Sequence, residues 1–167
     1  MRVFLVGFMA SGKSSVGKKL AKKTGLPFID LDNYIEEKYN TTIRSLIYDK
    51  GMDRFREIEK ESLDHLISKN ENILISAGGG TPYYFENMKR MNDAGETVYL
   101  EVDIPTLVDR LMHAKQDRPL IWGKSREDLT IYAKDLFGKR EKNYLEAKYK
   151  VSGKDFDMQA FVDLLKK

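Results

Sequence analysis

The 167-residue chain contains no cysteine, which excludes disulfide scaffolds, thiolate zinc sites and cysteine nucleophiles. Its only two histidines, His65 and His113, are too few for a histidine metal cluster. No apolar run approaches the ~18 residues of a membrane span, and the opening segment lacks the basic start and cleavage site of a signal peptide. A net charge of +3 does not indicate a nucleic-acid binder. We therefore expect a cytoplasmic monomer with no membrane or nucleic-acid partner.

Short apolar strands alternate along the chain with amphipathic helical segments. Strands are predicted at residues 3–6, 28–30, 73–75, 97–102 and 149–151. Helices are predicted at 33–39, 43–50, 53–69, 105–113 and 125–147, with further ones after residue 12, from near Pro82 and at the end of the chain. The stretch over 114–124 has no clear period and is predicted to be a mobile loop. Because strands and helices alternate throughout, we predict one α/β domain over 1–167, a parallel sheet with helices on both faces.

Residues 7–14 match the complete GxxxxGK[ST] pattern of a phosphate-binding loop, or P-loop. The pattern follows a predicted strand and opens a predicted helix, so backbone N–H groups and the helix N-terminus would face a phosphate. Lys13 is expected to reach the β- and γ-phosphates, and the Ser14 hydroxyl to ligate Mg²⁺. An ordinary glycine-rich turn is the alternative. The predicted nucleotide-binding residues of this loop are Ala10, Ser11, Gly12, Lys13, Ser14 and Ser15.

The P-loop alone does not identify the class of nucleotide-binding protein. A GTPase would need an Asn-Lys-x-Asp motif for guanine, and no asparagine here is followed by lysine. The one Asp-x-x-Gly match, from Asp135 to Gly138, lies inside a predicted helix. A kinase of small molecules therefore fits the short chain better.

Two carboxylates, Asp30 and Asp32, close the second predicted strand. Strand alternation would point both the same way, at the sheet edge where parallel strands place ligands. One would hold Mg²⁺ through water, and the other would accept a hydrogen bond from an acceptor hydroxyl and could take its proton. The alternative is that Asp32 only caps the following helix. Three glycines at 78–80 follow another buried strand, either for close approach of a ligand or merely as a tight turn.

Four arginines are candidates for binding anions. Arg56 has Glu59 three residues later, which a surface salt bridge would equally explain. Arg140 falls on the apolar stripe of its helix, so it either extends to solvent or meets an anion, and the sequence favours neither. Arg118 lies in the predicted mobile loop, where it could cover a triphosphate or remain solvated. Arg110 could flank the nucleotide base.

The order and spacing of these motifs resemble the shikimate kinase family over nearly the whole chain. The shared series is a P-loop, Asp-x-Asp, Phe-Arg, Gly-Gly-Gly, Arg-Pro-Leu and a late Arg-x-x-x-Tyr. The resemblance implies a three-layer α/β/α fold of the nucleoside monophosphate kinase type, with five parallel strands in order 2-3-1-4-5. It also implies Mg²⁺-dependent transfer of phosphate from ATP to the 3-hydroxyl of shikimate, in the route to chorismate and aromatic amino acids.

The same resemblance implies roles for individual residues. Ser14 and Asp30 would serve Mg²⁺, and Glu59 would orient Arg56. A lid over about 114–124 would carry Arg118, and a helical region over about 33–62 would bind the acceptor. The resemblance assigns shikimate binding to Asp32, Arg56, Gly79, Gly80 and Arg140, with the carboxylate at the two arginines. Combined with the residues argued above, the predicted catalytic residues are Lys13, Asp32 and Arg118, and the predicted ATP-binding residues are those of the P-loop with Arg110 and Arg118.

Two departures from the family pattern and three alternatives remain, and one departure is Met52-Asp53 after Gly51, where Gly-Glu is usual. Ala10 stands where the family usually has glycine, at a position we expect to tolerate it. A gluconate kinase would also recognise a carboxylate and hydroxyls. A nucleoside monophosphate kinase would not need Asp32 beside its acceptor, because a phosphate acceptor has no proton to remove. A non-catalytic nucleotide-binding module is the third alternative.

Overall fold

A five-stranded parallel sheet forms the centre of the computed structural model, which describes residues 1–114, 121 and 123–166. The strands lie in the order β2-β3-β1-β4-β5, and every neighbouring pair is parallel. The predicted order 2-3-1-4-5 is therefore confirmed. The strand bounds are β1 Arg2–Val6, β2 Phe28–Asp30, β3 Ile73–Ser76, β4 Glu96–Glu101 and β5 Tyr149–Ser152.

The central strand β1 is apolar at successive positions because it is covered on both faces. Val3 and Leu5 belong to one hydrophobic core, whereas Phe4 and Val6 belong to another on the opposite face. All four side chains are fully buried. A strand covered by helices on both sides reads as a continuous apolar run rather than an alternating one, and this pattern produces the three layers of the fold.

Eight α-helices are described. They are α1 Lys13–Thr24, α2 Leu31–Tyr39, α3 Ile43–Lys50, α4 Met52–Lys69, α5 Asn87–Ala94, α6 Ile104–Met112, α7 Arg126–Tyr144 and α8 Met158–Leu165. None of the helices in these described ranges is both long and apolar enough to cross a membrane. Most of the loop predicted over 114–124, including Arg118, lies outside the described residues.

Two helix boundaries differ by more than two residues from those predicted. The helix expected from near Pro82 is a 3-10 turn, Thr81–Tyr83, and α5 begins only at Asn87. The intervening Phe85 and Glu86 have φ angles of +49° and +55°, which interrupt a right-handed helix. Helix α7 ends at Tyr144 rather than near residue 147, because the following residues form tight turns that lead into β5.

The carboxyl ends of three adjacent strands, β2, β3 and β1, meet at one edge of the sheet. Ser76 pairs in register with Leu5 on one side and with Asp30 on the other. Each of these strands runs directly into a segment singled out by the sequence: the P-loop after β1, the Asp-x-Asp motif at the end of β2, and the glycine run (residues 78–80) after β3. The topology therefore brings three distant motifs to one edge.

Candidate active site

The P-loop joins β1 to α1 and is closed by Lys13. The Lys13 ammonium donates hydrogen bonds to the carbonyls of Gly7 at 2.8 Å and Phe8 at 3.0 Å, and the residue is only 9% exposed. A buried ammonium held by backbone carbonyls at the start of a helix places a fixed positive charge where phosphate oxygens bind in such loops.

Ala10 departs from expectation in its backbone conformation. Its φ angle is +63°, in the left-handed region that favours glycine, so this position is less permissive than we expected from the sequence. Arg110 holds the strained loop by donating from Nη1 to the Ala10 carbonyl at 3.1 Å and from Nη2 to the Gly153 carbonyl at 3.5 Å. Arg110 therefore lies at the junction of the P-loop and the segment after β5.

The Ser14 hydroxyl donates a 2.5 Å hydrogen bond to Asp30 Oδ2. The other Asp30 oxygen accepts from the Asn33 backbone N–H at 3.2 Å, so that Asp30 is the N-cap of α2. The prediction that Asp30 and Asp32 share a face by strand alternation is therefore wrong, because β2 ends at Asp30 and α2 begins at Leu31. The capping role suggested for Asp32 belongs to Asp30. Both carboxylates nevertheless line the same cavity.

Asp32 lies in the first turn of α2 and carries a perturbed carboxyl group. Burial is the main cause that raises its pKa from 3.8 to about 6, and the carboxylates of Glu59 and Asp30 raise it further. The positive charges of Lys13 and Arg56 oppose these effects. A partly buried carboxylate close to both a P-loop lysine and an arginine is a candidate for chemistry as well as for binding.

The glycine run provides the surface on which the site assembles. A Cβ atom on Gly78 would lie 3.2 Å from Asp32 Oδ1 and 3.0 Å from Glu59 Oε2. One on Gly79 would lie 3.1 Å from the backbone nitrogen of Met9, within the P-loop. Since side chains here would enter occupied space, the three glycines allow the acids and the P-loop to approach the same segment of backbone.

Two guanidinium groups converge on the last glycine of the run. A Cβ atom on Gly80 would lie 2.7 Å from Arg56 Nη2 and 3.0 Å from Arg140 Nη2. Arg56 comes from α4 and Arg140 from α7, so the two arginines reach this point from separate elements. Two adjacent cations suit a ligand that carries a carboxylate or another compact anion.

Arg56 forms a buried ion pair, so the alternative of a surface salt bridge is wrong. Its Nη1 donates to Glu59 Oε1 at 2.8 Å, with the side chains of Arg56 and Glu59 only 11% and 1% exposed. Glu59 Oε2 accepts a second hydrogen bond, from the Thr81 hydroxyl at 2.8 Å. Glu59 thereby ties the arginine to the segment that follows the glycine run.

Arg140 is 8% exposed and does not extend into solvent. It lies beside Tyr144, whose hydroxyl donates a 2.5 Å hydrogen bond to the Gly79 carbonyl. Burial raises the pKa of Tyr144 to about 12, and the positive charge of Arg140 opposes that shift. Tyr144 contributes to the site, although the sequence identified it only as the tyrosine of the late Arg-x-x-x-Tyr motif. Its spacing of four residues from Arg140, on the same helical face, was the available signal.

A cavity of about 770 Å³ opens between these elements. Its lining includes much of the P-loop, both aspartates, the turn between α2 and α3, and Gly78 and Gly79. Of the predicted site residues, those that line it are Ala10, Gly12, Lys13, Ser14, Ser15, Asp30, Asp32 and Gly79. Gly80 and the two arginines are next to its Gly79 end, and Ser11 is buried within the loop.

A P-loop at the carboxyl edge of a parallel sheet, facing carboxylates and paired guanidinium groups, defines a P-loop kinase that acts on a small anionic acceptor. The family model for shikimate kinase (SKI) matches residues 9–166. The chain belongs to the shikimate kinase family.

Individual relatives agree with this assignment. The shikimate kinase of Phocaeicola vulgatus is 42% identical over 170 residues, which cover 99% of this chain and 97% of the relative. The crystal structure of the Bacteroides thetaiotaomicron shikimate kinase aligns with a TM-score of 0.94 at 36% identity, over 100% of this chain and 99% of that one. The Acinetobacter baumannii shikimate kinase, solved in complex with shikimate, aligns with a TM-score of 0.84 at 27% identity, over 99% and 90%.

Proposed function

We propose that this chain transfers the γ-phosphoryl group of ATP to the 3-hydroxyl of shikimate, on the route to chorismate. Membership of the shikimate kinase family supports the substrate pair. The observation that carries the proposal is the convergence of Arg56 and Arg140 at Gly80, beside Asp32 and the P-loop. This convergence offers two cations to one carboxylate next to a candidate acceptor for a hydroxyl proton.

Arg56 and Arg140 are proposed to bind the shikimate carboxylate. Glu59 occupies Nη1 of Arg56, while Nη2 of Arg56 and Nη2 of Arg140 both approach Gly80. Two guanidinium groups side by side can each donate a charge-assisted hydrogen bond to one oxygen of a carboxylate.

The P-loop is proposed to bind the phosphates of ATP, with Lys13 at the β- and γ-phosphates and Arg110 supporting the loop. The residues that fit Mg²⁺ are Ser14 and Asp30, because a hydroxyl and a carboxylate 2.5 Å apart are hard oxygen ligands of the kind that this ion prefers. When bound, the ion would neutralise phosphate charge. Arg118 lies outside the described residues and stays a prediction for the lid over about 114–124.

Asp32 is proposed to hold the acceptor hydroxyl in line with the γ-phosphate. The hydroxyl oxygen forms a bond to phosphorus as the bond between phosphorus and the bridging oxygen of ADP breaks. The hydroxyl proton passes to Asp32, whose raised pKa makes it a better proton acceptor than an ordinary aspartate. Alignment of the hydroxyl by Asp32 would accelerate the reaction even if the proton is transferred only after the new bond to phosphorus has begun to form.

The substrate assignment is tested by a coupled assay of ADP release with shikimate, gluconate and AMP as separate acceptors. We expect turnover with shikimate alone. Lys13→Met should abolish it, whereas the matched control Lys19→Met, an exposed lysine on the same helix, should not. Turnover with gluconate but not shikimate would contradict the proposal, and no turnover with any acceptor would favour a non-catalytic nucleotide-binding module.

The monomeric state predicted from the sequence remains part of the proposal. Sedimentation velocity at assay concentrations tests this proposal, since a single species of about 19.3 kDa is expected. A dimer at these concentrations would contradict it. The cytoplasmic location remains the prediction made from the sequence.

A further inference from the structure

The Arg56 guanidinium contacts two aromatic rings in addition to Glu59. Its central carbon lies 5.2 Å from the ring centroid of Phe55 and 4.3 Å from that of Tyr84. Phe55 is the preceding residue of α4, so its proximity follows from the local chain. Tyr84 comes from the turn between the glycine run and α5, and its proximity to Arg56 must be created by the path of that turn.

The turn that delivers Tyr84 has an unusual backbone. The next two residues, Phe85 and Glu86, have φ angles of +49° and +55°, although neither is glycine. Consecutive left-handed residues with side chains are unfavourable, and they persist where surrounding contacts determine the conformation. The backbone N–H of Asn87 donates to the Tyr84 carbonyl at 2.9 Å, and its side-chain amide donates to the Thr81 carbonyl at 3.0 Å.

The turn distributes its three aromatic residues unequally. Tyr83 and Phe85 are 45% and 47% exposed, whereas Tyr84 between them is more buried and lies against the arginine. The Tyr83 ring packs edge-on against that of Tyr84, with centroids 5.0 Å apart. The strained backbone of this turn therefore places the Tyr84 ring against the Arg56 guanidinium in the candidate acceptor site.

We propose that Tyr84 is a positioning residue for Arg56. Attraction between the cation and the ring, together with the Glu59 hydrogen bond, holds the guanidinium with its Nη2 beside that of Arg140, ready for the acceptor carboxylate. A guanidinium already ordered loses less freedom when the ligand binds, so affinity for the acceptor increases. The proposal rests on the proposed function and deepens it, because it assigns carboxylate affinity to a residue outside the predicted site set.

The kinetic test compares Tyr84→Leu with Tyr84→Phe. Loss of the ring should raise the KM for shikimate on the order of 3- to 30-fold, with the KM for ATP and kcat within about twofold of wild type. Tyr84→Phe keeps the ring and should restore the wild-type KM. Tyr48→Leu is the matched control, since Tyr48 is 89% exposed on α3. An unchanged shikimate KM in Tyr84→Leu, or an equal rise in both KM values, overturns the proposal.

A second measurement tests the contact without any acceptor. The Arg56 Nε–H resonance, assigned in a nitrogen–proton NMR spectrum by its loss in Arg56→Lys, should carry an upfield ring-current shift. The shift should decrease in Tyr84→Leu, where only the more distant Phe55 ring remains, and persist in Tyr84→Phe. Failure of the wild type to phosphorylate shikimate contradicts the proposed function alone. An Arg56 resonance that does not respond to Tyr84→Leu contradicts the positioning role.

Discussion

Replacing Gly80 with alanine adds one methyl group at the point where the two arginines converge. The backbone of Gly80, with φ −95° and ψ −11°, is accessible to any residue, so alanine introduces no conformational strain. Its Cβ would lie 2.7 Å from Arg56 Nη2 and 3.0 Å from Arg140 Nη2. Contacts between such atoms are favourable only at roughly 3.5 Å or more. Both guanidinium groups must therefore move by several tenths of an ångström.

The displacement should weaken acceptor binding and leave nucleotide binding intact. A hydrogen bond to a charged group contributes about 1.5–3 kcal/mol. Loss of one such bond corresponds to a rise of roughly 10- to 150-fold in the KM for shikimate. The KM for ATP should stay within about twofold, because the three atoms nearest the added methyl group belong to Arg56 and Arg140 and not to the P-loop. Initial rates with each substrate varied at saturating concentrations of the other measure the two values separately.

Gly138→Ala is the matched control, in the exposed middle of α7. Its Cβ would meet no atom within 4 Å in the described part of the chain. Alanine in a helix is more favourable than glycine by ~1 kcal/mol, so this variant should be slightly more stable and fully active. A Gly80→Ala enzyme with the shikimate KM of the wild type would contradict this prediction. It would show that Arg56 and Arg140 do not lie against Gly80 when the enzyme binds shikimate.

Three further substitutions test other features of the site. Arg140→Ala should weaken shikimate binding by ~2–5 kcal/mol, since it leaves a partly desolvated carboxylate unpaired; unchanged affinity in a calorimetric titration would contradict a role in acceptor binding. Without nucleotide or metal, Asp32→Asn should be more stable than wild type at pH 7.5 by up to ~3 kcal/mol, because the native pKa of about 6 exceeds the ordinary 3.8 and disfavours the ionised native state. That advantage should shrink as the pH falls through 6 and vanish below 4, where Asp32 is protonated in both states; equal urea stability of the two proteins at pH 7.5 would show that the carboxylate is not destabilised. Ala10→Gly should raise the free energy of unfolding by ~1 kcal/mol by relieving the left-handed alanine, and a melting temperature no higher than that of the wild type would argue against strain at this residue.

The parts of the fold that could be predicted are those whose signal is local. Strand β1, the P-loop and α1 follow one another within a single motif, and the structure reproduces that order. The strand order 2-3-1-4-5 has no local signal, because it depends on which strands pack together. It was predicted through the family resemblance, and the apolar runs alone indicated only that the strands would be parallel and covered.

The predictions that failed concern backbone turns and burial. The sequence of an Asp-x-Asp motif does not distinguish a continuous strand from a strand–helix junction. Only the structure shows the junction, because the Asn33 N–H donates to Asp30 and makes it the N-cap of α2. Likewise, an arginine and a glutamate three residues apart on a helix form the same pattern at the surface or in the interior. Burial of the Arg56 pair is set by Thr81 and Gly80, which approach from a distant part of the chain.

The candidate site concentrates like charges on each side of the glycine run. The carboxylates of Glu59 and Asp30 raise the pKa of Asp32, and Arg56 and Arg140 approach the same glycine. Glu59 offsets part of the repulsion through its hydrogen bonds to Arg56 and Thr81. The remaining electrostatic repulsion destabilises the ligand-free protein, and ligands of opposite charge relieve it when they bind. Removal of a charge from this site should therefore stabilise the ligand-free protein, provided that no buried partner is left unpaired, and should impair catalysis. Truncation of a side chain in the core should instead lower stability and activity together.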